Sequence, residues 1–315
     1  MDRPTPAVGI QVFPGDGFIR PVDLGRAVED RGFGALFFPE HLHMPVDRTV
    51  EFPIPIPLPE IYKRNFEPFL TFAAISSVTS RLTFGTGISL VAQRDPILLA
   101  KTIATLDHLC AGKFVLGVGA GWNLEETQNH GVDPRQRWRH VADHVHAMQT
   151  IWTEDVATYH GPFVDFDRIW SWPKPYGHRH VPVLIGGSAK NFDRILNWAD
   201  GWIPALDGDV DDLITEINQL RALAAERCPG FDPDVSVAVG YGRDLTKAEF
   251  DKLSAAQVTR ILLAIKPASY QETTAALYQA ARASHVVPRT LRRSFISRNK
   301  CNGSVGLASN LARRK

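Results

Sequence analysis

The chain has 315 residues, 44% hydrophobic and 22% charged, with 35 Lys and Arg set against 34 Asp and Glu. This balance excludes a strongly basic nucleic-acid binder and an acidic disordered segment, and the apolar content suffices to bury a sizeable core. No apolar run approaches the ~20 residues needed to cross a bilayer. The N-terminal MDRPTPAVGI lacks the apolar core of a signal peptide, so a soluble cytoplasmic protein with no membrane or nucleic-acid partner is expected.

The elements follow one another as strand and helix. VGIQVF (8–13) precedes a helix near 21–31, and ALFFPE (35–40) precedes a long loop and a helix near 68–79. The third strand, LTFGTGISLV (82–91), holds Gly85 and Gly87, and a glycine inside a strand marks a bulge or a close backbone approach. Asp95 then reads as an N-cap with Pro96 at the first helical position. Leu99, Ile103, Leu106 and Cys110 fall on one stripe, and Gly112 ends the helix.

The fourth strand (114–119) is apolar almost without alternation, as a parallel strand covered on both faces should be, and its helix is expected over about 135–152. VPVLIGG (181–187), GWIPA (201–205), VSVAVG (235–240) and RILLAI (260–265) complete the set. Helices end near Asp200, span about 209–227 and run to about 284. Eight alternating units predict an α/β fold, a (β/α)8 TIM barrel, in preference to a doubly wound sheet.

Two insertions interrupt the repeat. Leu42–Pro68 contains EFPIPIPLPEIY, whose prolines exclude a helix. It would form a lid or substrate wall, or a strap that docks a second subunit. Ala157–Tyr176 reads as a short hairpin and an aromatic, proline-rich connection that could cover the barrel. From Val286 to Lys315 there are eight Lys or Arg and no acidic residue, leaving the preceding chain at −7. The barrel domain is therefore placed at 1–285; a basic tail can bind nucleic acid or an anionic surface, but 286–315 has no repeated motif and no aromatic interleaving and reads as a disordered extension.

In a barrel, functional groups come from the C-terminal ends of strands. Strand one ends at Gln11–Pro14, strand two at Glu40 and His41, and strand three at Gly87, Ile88 and Ser89. Strand four ends at Gly119, Ala120, Gly121, Trp122 and Asn123, and strand five at Gly186, Gly187 and Ser188.

The GGS turn suits a phosphate or another anion at a helix N-terminus, although such turns also simply join elements. GVGAG at 117–121 is not the dinucleotide fingerprint, because Trp122 and Leu124 stand where GxGxxG needs glycine. His41 is positioned to take or give a proton. A histidine that only hydrogen-bonds the long loop fits equally, and His43 competes with it.

His140, His144 and His146 lack the glutamate of HExxH, which argues against a metal site there. Cys110, Cys228 and Cys301 form no CxxC pair and read as reduced thiols. Trp122, Trp170 and Trp172, with Phe52, Ile54, Ile56 and Leu58, suggest aromatic and apolar walls for a small organic substrate.

With these residues in view, the chain resembles the luciferase-like monooxygenase superfamily, most closely its coenzyme F420-dependent branch. The match runs from about Val8 to Ala283 and rests chiefly on GTGISLVAQRDPILLAKTIATLDHLCAGKFVLGVGAGWNLEE. FFPEHL, IWTEDVATYHGPFVDFD, VPVLIGGS and ADGWIP support it.

The resemblance implies a hydride-transferring oxidoreductase using F420, with a two-component FMN-dependent monooxygenase using reduced flavin and O2 as the alternative. It implies a non-prolyl cis peptide at Gly87-Ile88 behind the cofactor ring and a phosphate turn at Gly186, Gly187, Ser188 and Ala189. Ala120, Gly121 and Asn123 would line the cofactor, and His41 would stand beside the reacting carbon. Glu40, taken with His41 as catalytic, occupies a place where several relatives have aspartate.

A homodimer, and an F420 or flavin reductase as electron source, are also implied. Trp122 stands where some F420-dependent dehydrogenases carry a proton-donating glutamate, which argues against a sugar-phosphate dehydrogenase. A barrel that binds cofactor without catalysis would differ in one respect: His41→Ala would change no turnover.

Overall fold

The computed structural model describes residues 5–49 and 57–284. Eight strands form the barrel: β1 (Ala7–Gln11), β2 (Ala35–Phe38), β3 (Thr83–Thr86), β4 (Phe114–Val118), β5 (Val183–Gly186), β6 (Gly201–Ile203), β7 (Asp234–Val239) and β8 (Arg260–Ala264). All neighbours pair in parallel and in chain order, and β8 closes on β1 with Ala7 opposite Arg260 and Gln11 opposite Ala264. The expected strand 201–205 breaks at Pro204, whose N–H is missing. A two-residue piece, Ala205–Leu206, resumes the pairing with β7.

The two faces of each strand carry different cores. Ala35, Phe37, Val115, Leu184, Ile203 and Leu262 fill the barrel interior, while alternate residues such as Leu36, Phe38, Leu116 and Ile185 pack against the helices. Gly85 is part of this arrangement. A Cβ there would lie 2.4 Å from the Phe37 ring, so the glycine leaves the space that ring occupies.

The helices are α1 (Pro21–Asp30), α2 (Ile61–Arg64), α3 (Pro68–Ser76), α4 (Pro96–Leu109), α5 (Leu124–Asn129), α6 (Arg137–Thr153), α7 (Phe192–Trp198), α8 (Val210–Arg227), α9 (Lys247–Ala255) and α10 (Tyr270–Ala283). Asp95 caps α4 by accepting from Leu98 N at 2.7 Å, and Leu99, Ile103 and Leu106 are buried as their spacing predicts.

The sequence reading misses α2, α5 and α9. Of these, α9 carries a legible start, because Thr246 and Glu249 form a capping box.

The expected hairpin is present, Ala157–His160 against Asp165–Ile169, but its place differs from the expectation. It packs against α6, and none of its residues lines the cavity at the C-terminal end of the strands. Buried Asp143 on α6 accepts from the Tyr159 hydroxyl at 2.7 Å and from Phe163 N and Val164 N at 2.9 Å, while His140 stacks on Phe163. The physical reason is connectivity: the hairpin follows α6 rather than a strand, so it does not start from a C-terminal strand end.

Among the described residues no helix is long and apolar enough to cross a membrane. The basic extension and Phe52, Ile54 and Ile56 lie outside the described residues.

Candidate active site

The C-terminal mouth of the barrel encloses a cavity of about 570 Å³. The ends of seven strands and the long insertion line it. Gln11 and Phe13 follow β1; Pro39, Glu40 and His41 follow β2; Gly87, Ile88 and Leu90 follow β3; Gly121 and Trp122 follow β4. Opposite stand Leu206, Asp207, Tyr241, Arg243 and Ala264, and Tyr62 of α2 adds a wall.

The insertion reaches this position by pairing with the loop after β1. Asn65 bridges Gly15, Phe66 N donates to Pro14 O at 2.8 Å, and Asn65 Nδ2 donates to His41 O at 2.8 Å. The Tyr62 ring then stands 5.0 Å from His41 and 4.9 Å from Phe13, so the described end of the insertion is a wall of the cavity.

His41 is held from both ring nitrogens. Its Nδ1 lies 2.8 Å from Glu126 Oε2, and Trp122 Nε1 donates to its Nε2 at 3.2 Å. An indole nitrogen can only donate. Nε2 is therefore the acceptor, and the ring proton assigned by this network sits on Nδ1, donated to the carboxylate. Asn123 supports the arrangement from below. It caps α5, its Oδ1 accepting from Glu126 N at 2.9 Å, and so fixes the turn that carries Glu126 to His41.

Glu40 has a different role from the one the sequence suggests. Its side chain is fully buried, and both oxygens are taken. Ser89 Oγ and Leu90 N (3.0 Å) donate to Oε2, and Arg94 donates to Oε1 through Nε at 2.6 Å and through Nη2. Arg94 Nη2 also reaches Glu67 at 2.7 Å. Burial works against the Arg94 charge, and the two carboxylates outweigh it, holding its pKa above the ordinary value. A carboxylate with every lone pair engaged braces the loops after β2 and β3 and has none left for proton transfer.

The peptide bond Gly87-Ile88 is cis, as the resemblance implied. Beside it Gln11 Nε2 donates to Gly87 O at 2.8 Å, and Gln11 Oε1 is buried without a hydrogen-bond partner among the described residues. The Ile88 side chain is wedged between two strand ends. A Cβ on Gly119 would lie 2.8 Å from Ile88 Cδ1, and one on Gly186 would lie 2.5 Å from Ile88 Cγ2.

Five of the ten residues chosen from the sequence, His41, Glu40, Gly87, Ile88 and Gly121, thus line the cavity. Ala120 and Asn123 are buried beside it, and Gly186, Gly187 and Ser188 lie outside its wall. In that turn Gly187 O accepts from Trp202 Nε1 at 2.7 Å and Gly186 O from Asn191 Nδ2 at 3.1 Å.

Trp122 is in the wall, but Trp170 and Trp172 are exposed near the outer hairpin, and Leu58 is half-buried away from the cavity. His43 pairs with Asn129 at 3.0 Å, outside the wall. His144 Nδ1 contacts Val91 O at 3.0 Å. Among the described residues no group of three or more His, Cys, Asp or Glu could hold a metal.

Sequence reading missed Glu126, Tyr62, Asp207, Tyr241 and Arg243. Tyr241–Arg243 follow directly on the predicted strand 235–240, so extending the strand-end inspection past strand five would have found them. Burial pushes the Tyr62 phenol up to about 12 and raises Tyr241 as well, keeping both protonated near neutrality. Arg243 is tied to Gly208 O at 2.5 Å and to Glu249 at 2.9 Å.

The cavity fits a planar heteroaromatic cofactor on two observations. The unpartnered Gln11 Oε1 offers an acceptor to a ring-edge N–H, and the volume lies within the usual range of ligand pockets.

The family model for luciferase-like monooxygenases matches residues 8–297. The chain belongs to the luciferase-like monooxygenase family. Within this luciferase-like family, an uncharacterised protein of Mycobacterium tuberculosis is 41% identical over 222 residues, 69% of this chain and 78% of the relative. An FMNH(2)-dependent dimethylsulfone monooxygenase of Pseudomonas putida is 28% identical over 134 residues, 42% of this chain and 37% of that enzyme. The solved structure of an F420-dependent secondary alcohol dehydrogenase, in complex with an F420-acetone adduct, superposes with a TM-score of 0.67 at 16% identity. That match covers 90% of this chain and 99% of the dehydrogenase and shows a shared fold.

Proposed function

We propose that this luciferase-like oxidoreductase transfers a hydride between coenzyme F420 and a small organic substrate. The observation that carries the reading is His41, a cavity-wall imidazole whose Nε2 is the acceptor nitrogen, bonded to Trp122 Nε1–H, in a cavity also lined by Gly87 and Ile88. When bound, F420 supplies a two-electron hydride carrier that does not itself activate oxygen. Gln11 Oε1 would hold the ring edge, and the apolar floor made by Ile88 and Leu90 would exclude water. His41 Nε2 would take or return the proton that accompanies hydride transfer, and the protonated Tyr62 hydroxyl would donate to a substrate oxygen.

The similarity to the Pseudomonas putida enzyme supports the alternative, a two-component monooxygenase using reduced FMN and O2. The purified protein should be titrated separately with F420 and FMN while tryptophan quenching is followed. Micromolar binding of F420, with FMN weaker, is expected. Micromolar binding of FMN alone would overturn the F420 reading in favour of the alternative. In either case a separate reductase would supply the reduced cofactor.

A second copy of the chain is the proposed partner. Phe66, Leu70, Ile97 and Leu98 expose apolar surface on and beside the packed helices α3 and α4, and clustered exposed apolar residues mark interaction surfaces.

A further inference from the structure

The two buried glutamates at the mouth differ in how well they are satisfied. Glu40 has donors on both oxygens, whereas Glu126, also fully buried, offers Oε2 to His41 while its Oε1 has no hydrogen-bond partner among the described residues. Buried carboxylates ordinarily gather several donors, because an under-satisfied charge in a low-dielectric site is expensive. Its one side-chain donor among the described residues is His41, which lines the cavity.

We propose that Glu126 is the positioning residue for His41. It locks the imidazole as the Nδ1–H tautomer and aims Nε2 into the cavity. This rests on the reading of His41 as the proton-handling group of a hydride-transfer site.

The charge arithmetic supports the assignment. With His41 neutral, the pair carries one buried negative charge. A proton arriving at Nε2 converts it to an imidazolium–carboxylate pair of zero net charge at 2.8 Å. Trp122 Nε1–H occupies the same lone pair, and a substrate group that exchanges a proton with Nε2 must take the indole's place. Glu126 would touch neither substrate nor cofactor and would act through the histidine alone.

The experiment is long-range 1H–15N correlation of the histidine rings in the cofactor-free full chain, with His41→Gln used to assign the signals. The wild-type His41 should appear as the Nδ1–H tautomer. Glu126→Leu should shift the tautomer ratio about tenfold or more toward Nε2–H, the size expected for losing one charge-assisted hydrogen bond. Glu126→Gln keeps an acceptor oxygen of the same shape and should restore most of the Nδ1–H population.

A wild-type His41 in the Nε2–H form, or an unchanged ratio in folded Glu126→Leu, overturns the proposal. If Glu126→Leu does not fold, the wild-type tautomer and the Glu126→Gln spectrum still decide. Neither cofactor enters the measurement, so a protein that binds only FMN would sink the F420 reading while leaving this test intact.

Discussion

The indole Nε1 of Trp122 stands 3.2 Å from Nε2 of His41, so one wall residue of the cavity is hydrogen-bonded to the histidine beside it. Trp122→Phe keeps a ring against Tyr62 and removes the donor. One neutral hydrogen bond predicts a loss of about 0.5–1.5 kcal/mol in urea unfolding. Because Trp122 alone among the seven tryptophans lines the cavity, the variant should also lose most of the fluorescence quenching that F420 causes. Undiminished quenching would place the bound ring elsewhere.

Arg94→Met leaves Glu40 buried with its guanidinium partner removed. Breaking a buried ion pair in this way costs about 3–5 kcal/mol, well above the effect of a surface pair. Denaturant unfolding measures it, and a loss under about 1 kcal/mol would show that Ser89 and Leu90 suffice to hold the carboxylate.

Gly186→Ala places a methyl group 2.5 Å from Ile88 Cγ2. Overpacking of this kind costs roughly 1–3 kcal/mol. The double variant with Ile88→Ala should recover part of that loss, a coupling that a double-mutant cycle in thermal or urea unfolding detects. Strict additivity would mean that the clash is relieved by backbone movement.

Burial lowers the pKa of His144 from its ordinary value of 6.5, with its Val91 hydrogen bond working the other way. The folded state thus keeps this ring neutral while the unfolded chain takes a proton near pH 6.5, so stability falls as pH drops through that value. His180, raised by its hydrogen bond to Asp200, acts in the opposite sense: its contribution is present at low pH and lost as pH rises through its raised pKa. Comparing wild type with His144→Gln isolates the first effect. The variant should show a shallower decline of unfolding free energy between about pH 7.5 and 5.5, and equal slopes would exclude His144 as a source.

Leu70 and Leu98 are 74% and 66% exposed, on neighbouring helices. If a second copy covers them, Leu70→Lys combined with Leu98→Lys should convert a dimer to a monomer in sedimentation velocity, because an unpaired charge cannot be buried cheaply. A wild-type monomer at micromolar concentration would refute the proposed pairing.

The barrel was legible because its strands are apolar on both faces and its helices begin with residues such as Asp95-Pro96 that stop and start the chain locally. The site was legible only where a residue's own position in a strand-end motif marked it, as for His41, Gly87 and Gly121. Glu126 illustrates what stays hidden. It stands 85 residues from His41, and the contact exists only once β3 pairs with β2 on one side and β4 on the other, bringing the segments that follow β2 and β4 to one mouth. Glu40 lines the same cavity as His41, yet the groups that engage its carboxylate, Ser89, Leu90 and Arg94, lie 49 to 54 residues away and meet it only in the folded barrel. Tyr62 was hidden for another reason: a proline-rich insertion has no periodicity from which to read the direction of a side chain.

Ile88 works as a depth gauge for the cavity. With Gly119 and Gly186 pressed against its branches, the side chain has nowhere to retreat, so a flat ligand can descend only to its surface. Shortening residue 88 would deepen the mouth toward the ends of β4 and β5. Enlarging 119 or 186 would lift the floor instead. The size of ligand this barrel admits is thus set by three small-volume choices on three different strands.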